Sequence, residues 1–81
     1  SNAIILHFGE GSSLVPTDAY ARARMLQWMF FEQYSHEPYI AVARFQVKYQ
    51  GRPAADLEPR LVERGQAALA RLDAGLAETP F

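Results

Sequence analysis

A chain of 81 residues has room for one small domain, near the size where a single core supplies only roughly 3–5 kcal/mol of net stability. With 49% hydrophobic and 21% charged residues it reads as globular, not disordered. A net charge of −1, both signs scattered, leaves no basic face to follow a phosphate backbone, and the lack of Cys excludes disulfides, thiolate metal sites and cysteine nucleophiles within these residues.

No apolar run is long enough to cross a bilayer, and no secretory signal pattern opens the chain. These features point to a cytoplasmic protein without nucleic-acid or membrane partners. The opening Ser1-Asn2-Ala3 has two readings, an expression-tag remnant or native sequence.

Ala3 to Phe8 is short and apolar; helix is preferred, with Ser1 or Asn2 as N-cap and Gly9 and Gly11 ending it. Gly11 to Asp18 is rich in turn formers and reads as a linker, with Thr17 or Asp18 capping the next helix. From Ala19 to about Tyr49 the composition is helical, interrupted by Pro38, so a kink or break is expected near Ser35 to Pro38. Ile40, Ala43 and Val47 share one stripe there, while Arg44 and Lys48 share another face. Gln50 to Asp56 forms a turn, with Gly51 as C-cap and Pro53 as stop. A last helix runs from Asp56 or Leu57 to Ala77, its apolar stripe being Leu61, Gly65, Ala68, Leu69, Leu72 and Leu76. The small Gly65 and Ala68 would let two helices approach closely, and Glu78 to Phe81 reads as a frayed end. The fold class is all-α: a short N-terminal helix, a linker, a long kinked helix and an antiparallel partner helix.

Gln27 to Phe45 is the most apolar and aromatic stretch, and Met25 to Phe31 is apolar except at Gln27. A helix greasy nearly all round is buried on several sides, and so short a chain offers few neighbours to bury it. Met25, Trp28, Met29, Phe30, Phe31 and Phe45 are therefore assigned to a core or interface. Burying each is worth roughly 1.5–3 kcal/mol, which argues for self-association, as in a four-helix arrangement from two chains.

Three stretches, in this order, resemble a glutathione S-transferase of bacterial type. Ser1-Asn2-Ala3-Ile4-Ile5 is similar to the segment opening the last helix of that family's thioredoxin-like domain. Leu14 to Asp18 is similar to the linker into its helical domain. Arg22, Arg24 and Gln27 to Pro38 are similar to the first long helix of that domain, and Ala68-Leu69, Leu72-Asp73 and Leu76 fit the next one. The resemblance covers essentially the whole chain, while the family's full length is more than twice as great. It implies a fragment: residues 1–13 a remnant of the thioredoxin-like domain, 14–18 the linker, and 19–81 a partial C-terminal helical domain.

In the full-length family, glutathione is a co-substrate and its thiolate is conjugated to a small electrophile. No other cofactor is implied. The resemblance makes Ser1 and Asn2 glutathione-binding residues, because free N–H groups and the dipole at a helix N-terminus favour the γ-glutamyl carboxylate. It places Phe30, Tyr34, His36, Glu37 and Tyr39 at the electrophile pocket; the bland alternative is that Tyr and His satisfy buried polar groups at the kink. It assigns no catalytic residue to this chain, which is expected to be inactive alone. Glu32 and His36 share a helix face at metal-ligand spacing, yet no third ligand accompanies them, so no metal site is expected. Arg22, Arg24, Arg44 and Lys48 divide between solvated surface and ion pairs across a homo-oligomer interface. Two other functions compete: a non-catalytic helical docking module, and a helical DNA-binding protein, which the charge balance and the lack of a short helix-turn-helix place last.

Overall fold

The computed structural model describes residues 1–79. Among these every regular element is helical and no strand forms. Pro80 and Phe81, expected as the end of a fray, lie outside the described residues. Contacts divide the chain into two compact units, Ser1–Gln33 and Tyr34 onward.

The first unit holds α1 (Asn2–Gly9) and α2 (Ala19–Phe31). Helix α1 starts after Ser1 and stops where Glu10 turns extended, just before Gly11 at φ 81°. That left-handed conformation suits glycine, which has no Cβ to clash with the carbonyl. The linker is folded on itself: the Ser12 hydroxyl donates to the Gly9 carbonyl at 2.6 Å and accepts from the Leu14 N–H at 3.2 Å. Asp18, one of two expected caps, takes the N-cap of α2 and accepts the Ala21 N–H at 2.9 Å.

Two polar ties join these helices. Asn2 Nδ2 donates to the Met29 carbonyl at 3.0 Å, and the Arg22 guanidinium pairs with Glu10 at 2.6 Å. The beginning of α1 thus meets the end of α2 and the reverse, so the helices run antiparallel. Trp28 packs edge-to-face on Phe31, ring centroids 5.4 Å apart. Met25, Leu26, Trp28 and Met29 are half-buried, and no residue of α2 is fully buried.

Helicity continues beyond Phe31, but with π geometry over Glu32–Ala41, before α3 (Val42–Lys48) resumes the α form. The sequence predicts a disturbance near Pro38, and the helical ladder is indeed irregular around it, π and not α. In an α-helix Pro38 would leave the Tyr34 carbonyl without its donor and press its ring against it. A wider turn shifts the register, so that the Tyr34 carbonyl no longer depends on the nitrogen of Pro38.

In the second unit α3 ends at Tyr49, and the chain reverses through Gly51 at φ 70°, closed by the Arg52 N–H on the Gln46 carbonyl at 2.9 Å. A 3₁₀ turn (Ala54–Asp56) precedes α4 (Pro59–Glu78). This last helix begins later than the sequence predicts, because Ala54 to Asp56 close a tight turn and Pro59 takes the first helical position, where its missing N–H costs nothing. Gly65 and Ala68 are its buried residues, Ala68 at 4% exposure. A Cβ built on Gly65 would sit 3.3 Å from Ile40 Cγ1, so the small residues do allow the expected close approach. Leu61 and Leu72 are half-buried, whereas Val62, Leu69 and Leu76, seven apart, are exposed.

Candidate functional site

The candidate residues other than Phe30 fall in two places, and each follows from local chain geometry. At the start of α1, Ser1 is the N-cap but its hydroxyl makes no capping bond. Its carbonyl accepts the Ile5 N–H at 2.9 Å. The N–H groups of the first turn have no side-chain cap, the arrangement that favours an anion. Beside it, the Asn2 carboxamide is committed through its nitrogen to the Met29 carbonyl.

The second place is the π-helical segment. His36, Glu37 and Tyr39 are half-buried, while Tyr34 is 82% exposed. The Arg64 guanidinium of α4 lies over the Tyr39 ring at 6.0 Å from its centroid, at cation–π distance. Phe30, on α2 in the first unit, is 68% exposed.

A depression of about 390 Å³ opens along the helix face formed by Glu37, Ala41, Val42, Phe45, Gln46 and Gln50. Of the residues singled out from the sequence as pocket-forming, only Glu37 lines it. Gln46 and Gln50 were missed. The available signal was polar glutamines set into an apolar run, Phe45-Gln46-Val47 above all. The buried Gln46 Oε1 has no hydrogen-bond partner in the described chain. Beyond the groove, Arg44 and Lys48 both lie over the Tyr49 ring, at 5.7 and 5.8 Å from its centroid.

Among the described residues no group of three or more His, Asp or Glu side chains is placed to hold a metal ion. No described helix is long and apolar enough to cross a membrane.

No protein-family model and no curated protein matches this sequence. Solved structures do. Over 99% of its length the chain superposes on a glutathione S-transferase from Pseudomonas fluorescens Pf-5, with 46% identity and a TM-score of 0.90. Over 98% it matches a glutathione S-transferase from Xanthobacter autotrophicus Py2, with 49% identity and a TM-score of 0.84. The chain belongs to the glutathione S-transferase family. It spans 41% and 40% of those two structures' own lengths. Its helical architecture is that of part of the glutathione S-transferase C-terminal helical domain.

Proposed function

We propose that these residues serve a glutathione S-transferase that joins the glutathione thiolate to a small electrophile in the cytoplasm. The observation that carries this reading is 46–49% identity over 98–99% of the chain to two structures of that family. In this reading residues 1–13 end the thioredoxin-like domain, 14–18 link the domains, and 19–81 begin the helical domain.

Ser1, with Asn2 beside it, holds the γ-glutamyl carboxylate. The uncapped first turn of α1 supports that role, since its N–H groups and dipole favour a negative charge. Phe30, Tyr34, His36, Glu37 and Tyr39 contribute to the electrophile site. Tyr34 and Phe30 offer exposed rings, and Glu37 and His36 offer polar atoms at the half-buried base of the π-helical segment. A homodimer covers part of the remaining apolar surface, to which the exposed Phe45 and Tyr49 belong.

The 81 residues alone are inactive in this proposal. A thiol becomes nucleophilic only when a neighbouring donor or positive charge lowers its pKa, and no candidate here combines such a group with a glutathione pocket. Conjugation of glutathione to 1-chloro-2,4-dinitrobenzene tests both halves. The expected result is a background rate with the isolated chain and turnover with the intact gene product. Turnover by the isolated chain refutes the inactivity, and a background rate from the intact product refutes the transferase assignment.

A further inference from the structure

We infer that Asn2 is a positioning residue: its carboxamide sets the place at which the long helix changes from α to π geometry. Pro38 accounts for a disturbed ladder back to Tyr34, four residues upstream. The π geometry nevertheless begins at Glu32, earlier than the proline requires. At that changeover lies the Met29 carbonyl, which accepts from Asn2 Nδ2 at 3.0 Å. The Met29 carbonyl is also approached by the Glu32 N–H, which it shares with the Trp28 carbonyl, the three-centre bond common where a regular α-helix ends. An outside donor placed on a helix carbonyl opens the ladder at that point.

The position of this donor is itself fixed. Helix α1 is tied to α2 at both ends, by Asn2 to Met29 and by Glu10 to Arg22. The tie points lie eight residues apart on α1 and seven apart on α2. At about 1.5 Å per residue these spans are about 12 and 10.5 Å, so the two helices match as a ruler matches its scale. With the Glu10–Arg22 end anchored, the length of α1 selects the Met29 carbonyl over its neighbours one turn away. The partner is an acceptor, so the amide nitrogen must face it, and only a donor can do the work.

This inference goes beyond the proposed function and does not rest on it, since no glutathione enters its test. Backbone amide hydrogen exchange is followed by NMR in the whole 81-residue chain and its variants. Asn2→Asp keeps the shape and replaces the donor with an acceptor; Asn2→Ala removes both. In each, the Glu32 and Gln33 amides should exchange about five- to tenfold faster, while those from Arg24 to Trp28 stay within about twofold. Glu10→Gln, which keeps an acceptor oxygen for Arg22 and so keeps the anchor, should leave Glu32 and Gln33 within about twofold. Unchanged rates at Glu32 and Gln33 in the Asn2 variants overturn the inference, as does equal acceleration along all of α2. Should the variants not fold, the unmodified chain decides: a scalar coupling across the hydrogen bond from the Asn2 side-chain nitrogen to the Met29 carbonyl carbon supports it, and its absence overturns it.

Discussion

Replacing Gly65 by leucine probes the tightest helix crossing in the second unit. The first added carbon would lie 3.3 Å from Ile40 Cγ1, closer than ordinary van der Waals contact, and three further carbons follow it. Overpacking of this kind costs about 1–3 kcal/mol. Against it stands the gain of exchanging a helical glycine for a good helix former, about 0.8–1 kcal/mol. The net expectation for Gly65→Leu is a loss of about 1 kcal/mol, which for a domain this small lowers Tm by about 4–8 °C. The steric part depends on one neighbour, so Ile40→Ala should abolish it. In that background Gly65→Leu should raise stability by roughly the propensity gain, a coupling of about 1–2 kcal/mol across the pair. Thermal and urea melts followed by far-UV circular dichroism at 222 nm measure all four proteins. Equal losses in both backgrounds, or a higher Tm for Gly65→Leu alone, would refute the crossing as described.

Two further substitutions test the boundaries of the helices. Asp18→Ala removes the side-chain acceptor at the N-cap of α2 and should cost about 1 kcal/mol, read as a lower urea midpoint with unchanged slope; Asp18→Asn, which still accepts from Ala21, should restore most of it. Gly51→Ala has open space around the new methyl but a backbone at φ 70°, so its loss of about 1–2 kcal/mol should be conformational, and no trimming of neighbouring side chains should recover it.

Much of this architecture follows from short-range rules. Asp18 is a cap because its carboxylate reaches the N–H three residues on, and Pro59 opens a helix because that position needs no donor. Gly11 and Gly51 stand where the chain enters left-handed turns, as their punctuation of the sequence implied. The stripe from Leu61 to Leu76 marked the buried face of α4 only in its small members, Gly65 and Ala68. Leu69 and Leu76 share the helical period but remain about half exposed, at 51% and 49%. Periodicity says which residues share a face, and the partner decides how much of that face is covered. The aromatic run around Trp28 illustrates the same limit, for composition demanded burial on several sides and α2 buries no residue completely.

The candidate site was legible in part. Similarity of the Ser1 segment and of Gln27 to Pro38 to one family located the residues worth examining, and two solved structures at 46–49% identity bear out that family. The groove along Glu37, Gln46 and Gln50 was not legible, because its residues share a face at ordinary helical spacing and what packs beside that face decides whether it stays open.

From the sequence alone come the helices, their caps and stops, the turn glycines and the family resemblance, all governed by interactions within a few residues or by direct likeness of segments. Only the tertiary structure decided that Pro38 is accommodated by widening, that Gly65 lies under Ile40, and that Asn2 reaches the Met29 carbonyl, 27 residues away. Such contacts depend on where two distant pieces of backbone meet, and no local pattern of residues encodes that distance.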